Sequence, residues 1–161
     1  MEKKKTEELY LVNYQNGGEH YEITCDCWLQ DTIFRRESPT QDELNLVDTL
    51  FSYRMNRFGS GGGGCSPVYS YDIKFLYDRL CLLKAGTINR FVCYFRNKSF
   101  YSGYYLKVKF TRKSPNHYEA HYKIYDDIDC VTFRQPLTKM DLIEQIQNLK
   151  ACTEKFPVRS L

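Results

Sequence analysis

Two histidines, His117 and His121, are the first candidates for metal chemistry because they lie four positions apart. On a helix this spacing would place both imidazoles on one face, where they could bind the same ion. The residues around them alternate between apolar and polar types, however, as they do in a strand. Positions four apart on a strand are separated by about 13 Å. We therefore predict that this pair does not hold a metal ion.

Two other groups offer ligand atoms for a metal. Cys25 and Cys27 form a Cys-X-Cys motif with His20 nearby, but the alternation of this segment turns both sulfurs toward the core. An acidic cluster at 126–129 could offer oxygens to Mg²⁺, although no other carboxylates lie close to it in the sequence. We interpret the cysteines as core residues and the acidic cluster as a solvated turn, and we predict no metal site.

The sequence also lacks the motifs of covalent and phosphate chemistry. It contains no GxSxG or SxxK arrangement. The glycine run at 59–64 is followed by Cys-Ser-Pro-Val, whereas a phosphate-binding loop requires a following Lys and then Ser or Thr. These observations predict a protein that is not an enzyme and that needs no cofactor.

The strongest pattern in the chain lies at 88–125, where three segments alternate aromatic or aliphatic residues with basic ones. Strand periodicity assigns one set to the core and the other to the opposite face. The inward set is Phe91, Cys93, Phe95, Tyr104, Leu106, Val108, Phe110, Tyr118, Ala120, Tyr122 and Ile124. From the outward set we take as partner-binding residues Arg90, Tyr94, Arg96, Tyr105, Lys107, Lys109, His121, Lys123 and Tyr125.

A basic face lined with tyrosines has two functional interpretations. Tyr and Arg are enriched at protein interfaces, and a protein partner with an acidic surface or segment would complement the charge. Alternatively, the basic side chains could pair with phosphates while the tyrosines stack on unpaired bases, as in RNA binders that use a sheet face. A solvated face without a partner is the third interpretation. The modest net charge of +3 and the absence of an RNP-like motif favour the protein partner, and hence an adaptor or scaffold subunit of a complex.

Charge and composition describe the setting of this face. Basic residues are concentrated in 65–125 and acidic residues in 1–58, a polarity that would steer an anionic partner. The 161 residues fit one domain, and the aromatic content of 16% predicts a packed core. The seven cysteines, an odd number, are typical of free thiols in a reducing compartment. With no secretory signal and no apolar run of about 20 residues, we predict a cytoplasmic or nuclear protein without membrane contact.

The glycine run at 59–64 holds five of the nine glycines in the chain. It has the composition of a flexible linker between two well-patterned segments. We interpret it as an engineered splice within a single domain spanning 1–161. Replacement of a native loop is favoured over fusion of two chains, because the two flanking segments complement each other.

The remaining segments suggest a mixed architecture. Strands are predicted at 8–15, 20–29, 32–36 and 126–133, the last ended by Pro136. A first helix is predicted from Ser38, Pro39 and Gln41, with an apolar stripe at Leu44, Val47, Leu50, Phe51, Met55 and Phe58. Further helices are predicted at 72–85, closed by Gly86, and after a capping box of Thr138 and Asp141.

This order of elements predicts an α+β fold. We expect one antiparallel sheet of about six or seven strands, either open or curled toward a barrel, with two central helices and a C-terminal amphipathic helix. The pattern leaves the oligomeric state open.

Overall fold

The computed structural model describes residues 8–31, 38–55, 61–125 and 130–161. Within them the chain runs twice through four antiparallel strands that end in a long helix. The first sheet contains β1 (Leu9–Asn16), β2 (Glu19–Trp28), β3 (Leu46–Arg54) and β4 (Gly61–Tyr69), followed by α2 (Ser70–Ala85). The second contains β5 (Arg90–Arg96), β6 (Tyr104–Ser114), β7 (His117–Tyr125) and β8 (Cys130–Thr138), followed by α3 (Lys139–Lys155). A short 3₁₀ turn at Leu29–Asp31 and the one-turn helix α1 (Gln41–Leu44) lie between β2 and β3.

The α+β class and the antiparallel pairing are confirmed, but the prediction of one sheet of six or seven strands is wrong. The described strands form two sheets of four, each with its strands in sequence order. The predicted strand at 32–36 lies outside the described residues. The helices α2 and α3 pack on each other, and α3 also contacts β1 and β8.

The prediction of a long first helix is also wrong, because its described part is α1 followed by β3, while Phe58 lies outside the described residues. Thr40 caps α1 and forms a capping box with Glu43, in place of the predicted Ser38 and Gln41. In β3, Val47 and Phe51 are buried, while Leu50 on the opposite face is 50% exposed. Val47 and Phe51 fit both a helical and a two-residue period, whereas Leu50 fits only the helical one. Pairing with β2 on one side and β4 on the other stabilises the strand.

Part of the glycine run lies in a strand. Gly61–Gly64 at the start of β4 pair in register with residues 51–54 of β3. A Cβ atom at Gly63 would collide with the carbonyl oxygen of Phe51, so this close approach requires glycine. Extended pairing thus replaces the flexible conformation that the composition suggests for these four residues, while the engineered origin of the run stays a prediction.

The second half of the chain follows its sequence pattern more closely. Helix α2 ends at Gly86, whose φ of 80° is the left-handed C-terminal cap that glycine favours. The capping box of Thr138 and Asp141 at the start of α3 is confirmed. Pro136 does not end the last strand but lies within β8. It is tolerated there because β8 is an edge strand, where a residue without an amide hydrogen need not break a ladder.

The two sheets meet through a stack of aromatic rings. Tyr21 of β2 lies over Phe133 of β8, with 3.8 Å between ring centroids, and Phe133 stacks in turn on Tyr122 of β7 at 4.6 Å. Tyr14 of β1 also stacks on Phe133, at 5.8 Å. The inward set predicted for β5–β7 is buried around this stack, apart from the half-buried Phe91 and Tyr104. None of the described helices is long and apolar enough to cross a membrane.

A buried asparagine ties the C-terminal segment to the rest of the fold. Asn45 is 0% exposed, and its amide nitrogen donates to the carbonyl oxygens of Gln41 and Arg159 at 2.9 and 2.8 Å. Its side-chain oxygen accepts the Ser70 hydroxyl at 2.6 Å and the Arg159 amide at 2.7 Å. The Arg159 guanidinium lies 3.7 Å from the centroid of the Trp28 ring. One side chain therefore joins the α1 turn, the start of α2 and the C-terminal segment.

We expect the substitution Asn45→Ala to lower the free energy of unfolding by about 2–4 kcal/mol, since it leaves buried donors and acceptors without partners. Urea unfolding followed by circular dichroism would measure this loss. Asn148→Ala is the matched control, because Asn148 is half-buried on α3 and alanine suits a helix. Equal stability of the two variants would contradict the role given to Asn45.

Candidate functional site

The outward side chains of β5–β8 form one continuous surface, which we call the basic face. Strand register places them in four rows across the sheet. Tyr125 belongs to the fourth row because its ring centroid lies 5.4 Å from that of Tyr104. The rows are Arg90, Thr111, Glu119 and Pro136; Val92, Lys109, His121 and Arg134; Tyr94, Lys107, Lys123 and Thr132; and Arg96, Tyr104, Tyr125 and Cys130.

The structure brings the predicted partner-binding residues together on this face, with the exception of Tyr105. Tyr105 is 2% exposed, and its ring centroid lies 5.6 Å from that of Phe100. The cause is a β-bulge. Phe95 pairs with Leu106 while Arg96 pairs with Tyr104, so that Tyr105 is an extra residue on β6. The prediction that Tyr105 points outward is therefore wrong, and so is the assignment of Tyr104 to the core.

The bulge adds Tyr104 to a group of rings that we call the tyrosine cluster: Tyr94, Tyr104 and Tyr125. Tyr104 meets Tyr94 edge to face at 5.1 Å, and it meets Tyr125 in the same manner at 5.4 Å. Tyr94 is 44% exposed. No signal in the sequence identifies Tyr104, because simple alternation places it inward.

Lysines accompany the cluster. The Lys107 amine lies 5.6 Å from the centroid of the Tyr94 ring, and the Lys123 amine lies 5.5 Å from that of Tyr125. Hydrogen bonds from Tyr104 and Lys123 lower the pKa of Tyr125, while the same bond to Tyr125 raises the pKa of Tyr104. These rings therefore form a connected surface with cations directly beside it.

The other end of the basic face is a shallow concavity that we call the basic pocket. It encloses about 180 Å³ and is lined mainly by Arg90, Lys109, Lys113, His121 and Arg134, with Thr111 and Glu119 completing its wall. Arg134 donates to the Glu119 carboxylate at 3.2 Å. The sequence prediction missed Arg134 because it ended the last strand before that residue.

Electrostatics at His121 reflect this concentration of cations. Burial is the largest cause that lowers the pKa of the imidazole, followed by the charge of Arg134. Lys107 and Lys109 act in the same direction, and Glu119 opposes them. His121 is thus held neutral to a lower pH than an ordinary histidine, first by burial and then by the neighbouring cations.

Arg96, at the edge of the basic face, also pairs with a carboxylate of α2. Its guanidinium lies 3.3 Å from the Asp72 carboxylate, and its backbone amide donates to the same group at 3.0 Å. Asp72 is buried in the first turn of α2; burial raises its pKa, and the bonds from Arg96 oppose that shift. Arg96 therefore links β5 to α2 and has less charge to offer a partner than the lysines have.

The candidate metal ligands separate in the structure. Cys25 is buried, and its pKa is raised by a hydrogen bond with Cys152 and by burial. A bulge in β2 turns Cys27 toward Asp26 and Asp48, whose ligand atoms lie with it within 4.8 Å of one another. Burial and these carboxylates raise the pKa of the Cys27 thiol, which disfavours the thiolate that metals bind. His117 and His121 lie four residues apart on the same strand, β7. The acidic cluster at 126–129 lies outside the described residues.

No protein-family model matches the chain, and no curated protein sequence matches it. Among solved structures, it is similar to MRP1/MRP2 of Trypanosoma bruciei, with 7% identity, a TM-score of 0.47 and coverage of 89% of this chain and 81% of that one. It is also similar to the plant transcriptional regulator PBF-2, with 10% identity, a TM-score of 0.49 and coverage of 94% and 84%. WHY1 of Arabidopsis thaliana gives 8% identity, a TM-score of 0.48 and coverage of 94% and 92%. Such likenesses concern the course of the chain and not the residues of the basic face.

We expect Tyr105 and Tyr104 to respond differently to truncation. Tyr105→Ala empties a buried site and should lower the free energy of unfolding by about 3–5 kcal/mol. Tyr104→Ala removes a half-buried surface ring and should cost about 1 kcal/mol or less. Urea unfolding of both variants measures the difference. A larger loss for Tyr104 would mean that the bulge is not where the structure has it.

We expect His121 to titrate below pH 6.5, and Arg134→Gln to raise its pKa by removing a neighbouring charge. Because the folded-state pKa is lowered, the unfolded chain binds a proton first as the pH falls. The stability contributed by the neutral imidazole is then lost as the pH drops from the ordinary value through the folded-state value. An NMR titration measures the pKa, with Lys84→Gln on α2 as the control that should leave it unchanged. A midpoint above 6.5 would contradict this account.

Proposed function

We propose that this protein is a non-enzymatic module that binds single-stranded nucleic acid on the basic face. The observation that carries the proposal is the tyrosine cluster with Lys107 and Lys123 beside its rings. Unpaired bases stack on exposed aromatic rings whatever their sequence, and lysines pair with the phosphates that connect them. A protein located in the cytoplasm or nucleus, as the sequence predicts, would meet such strands.

The charge distribution supports the same function. In the ladder, Lys107 lies directly opposite Lys123, and Lys109 lies opposite His121. The two lysines, Lys107 and Lys123, repel each other across the ladder and favour an anion that bridges them. The outward side of the first sheet carries Glu22, Asp26 and Asp48 instead. This polarity would direct a polyanion to the second sheet.

The geometry also bears on the choice between the two partners weighed from the sequence. The bulge exchanges the buried Tyr105 for Tyr104, which contacts both Tyr94 and Tyr125 and so joins tyrosines that would otherwise be scattered among basic residues. A contiguous aromatic surface flanked by lysines suits consecutive bases and phosphates better than it suits an acidic polypeptide. We therefore favour nucleic acid over the protein partner.

A protein partner with an acidic segment is the second candidate. It is favoured by the edge strand β5, where Arg90, Phe91, Val92 and Lys109 line a small apolar concavity. Val92 is exposed there, and an edge strand has backbone groups that can pair with an added strand. An adaptor or scaffold role would use this edge, whereas nucleic acid would use the tyrosine cluster.

We expect the double substitution Lys107→Glu and Lys109→Glu to weaken binding of a single-stranded oligonucleotide by more than about tenfold at low salt, since it removes two cations that pair with phosphates and adds repulsion. The slope of log affinity against log salt should also become shallower, by about 0.7 for each phosphate that the variant no longer neutralises. Fluorescence anisotropy over a salt series measures both quantities. The matched control is Lys84→Glu with Lys150→Glu, which makes the same charge change at exposed positions on α2 and α3.

Tyr94→Ala separates the two candidate partners. If bases stack on the cluster, this variant loses affinity for the oligonucleotide but keeps its affinity for an acidic peptide. Oligonucleotide affinity that is unaffected by Tyr94→Ala, or that does not fall with salt, would contradict the nucleic-acid function.

A further inference from the structure

The two ends of the basic face differ in chemistry. The tyrosine cluster occupies the third and fourth rows, and the basic pocket occupies the first and second. Lys107 and Lys123 stand between them in the third row. A nucleic-acid strand with a base on Tyr104 that runs along β6 and β7 would pass Lys107 and Lys123 and then reach the pocket.

The basic pocket is a place where such a strand would stop. The outward residues of its first row are Arg90, Thr111, Glu119 and Pro136, which include no ring for a further base. The Glu119 carboxylate on that side would repel a further phosphate. The sheet itself ends nearby, at the turn between Ser114 and His117.

The pocket has more positively charged side chains than a phosphodiester within a nucleic-acid chain would need for neutralisation. A phosphodiester carries one negative charge, whereas a terminal phosphate monoester has a second ionisation near pH 6 and carries nearly two at neutral pH. The pocket gathers Arg90, Lys109, Lys113 and Arg134 around one space, and His121 also lines it. Its volume of about 180 Å³ is room for a phosphate group with several waters, each of which takes about 30 Å³.

Two features of the basic pocket prepare Arg134 and His121 to bind an anion. The bond from Arg134 to Glu119 uses one of the five guanidinium donors and orients the rest. The lowered pKa of His121 comes from burial and from cations on both neighbouring strands, Arg134 on β8 and Lys107 and Lys109 on β6. A dianion in the pocket would reverse this electrostatic effect, so that the imidazole gains a proton and a second donor.

We propose that the basic pocket is a receptor for the terminal phosphate monoester of a single strand whose bases lie on the tyrosine cluster, an inference that rests on the proposed function. The phosphate oxygens accept hydrogen bonds from Arg134 and Lys109, and protonated His121 donates a further one. The protein then recognises strand ends that carry a phosphate and discriminates against ends that carry a hydroxyl.

The test uses three labelled oligonucleotides of one sequence, about eight nucleotides long, within the range of site sizes of single-strand binders. One has a 5′-phosphate, one has a 3′-phosphate, and one has hydroxyls at both ends, with the dye on an internal base. Anisotropy should show that one phosphorylated form binds about tenfold tighter than the unmodified form, as one or two charge-assisted hydrogen bonds would give. Equal affinity of all three forms for the wild-type protein would overturn the inference and leave the proposed function standing. Failure of all three to bind would overturn both.

Single substitutions test whether the preference for a phosphorylated end arises in the basic pocket. Arg134→Gln and His121→Gln should remove the preference for the phosphorylated form, so that each variant binds all three oligonucleotides with equal affinity. Tyr94→Ala should weaken binding of every form by the same factor. Lys150→Gln on α3 is the control for loss of a surface charge and should change nothing. A preference that survives both pocket substitutions would place the phosphate elsewhere and overturn the assignment.

NMR of the three histidines provides a readout independent of affinity. The His121 resonance, assigned by its loss in His121→Gln, should show a higher pKa with the preferred phosphorylated oligonucleotide than with the unmodified one. A nucleoside monophosphate, with the phosphate at the same end, should produce the same shift at higher concentration. An unchanged pKa at saturation would contradict occupancy of the pocket.

Discussion

The stack of Tyr21, Phe133 and Tyr122 between the two sheets is the interaction on which the basic face depends. It fixes which side of β7 and β8 is buried. Because side chains on a strand alternate, burial of Tyr122 places His121 and Lys123 outward, and burial of Phe133 does the same for Thr132 and Arg134. A shift of one residue would exchange core and surface along the whole strand. The energy that specifies the binding surface therefore comes from the opposite side of the sheet.

At one place the alternation is broken, and the break changes which rings lie on the basic face. The extra residue in β6 buries Tyr105 and turns Tyr104 outward, where it joins Tyr94 to Tyr125. Bulges commonly re-aim a side chain in this manner next to a binding site. Without the bulge, the three rings would not form a continuous surface. Strict alternation places Lys107 and Lys123 on the basic face. The bulge adds Tyr104, the ring that connects Tyr94 to Tyr125.

The alternation in the strands could be predicted from the sequence, whereas the bulge in β6 could not. The strands β5–β7 and the burial of residues such as Phe95 and Val108 followed from alternation alone, and Gly86 correctly marked the end of α2. Residues 44–58 carry apolar side chains at helical spacing, although Val47 and Phe51 fit the two-residue period of a strand as well. The choice is made by hydrogen bonds to strands distant in sequence, which no local pattern contains. The bulge at Tyr105 and the edge position that tolerates Pro136 depend on tertiary pairing in the same way, and so the site gained Tyr104 and Arg134 beyond its predicted members.

The basic face is arranged at some cost to stability. Lys107 and Lys123 are cross-strand neighbours, and like charges in that position destabilise a sheet, whereas opposite charges would stabilise it. Glu119 compensates one cation, Arg134, and lies at the far side of the face from the tyrosines. Burial is the largest cause of the lowered pKa of His121, and the cations around it, which add to the shift, belong to the same imbalance. An anion bound across these rows would relieve the repulsion, and the ligand of the proposed function would thereby stabilise the sheet that presents the face.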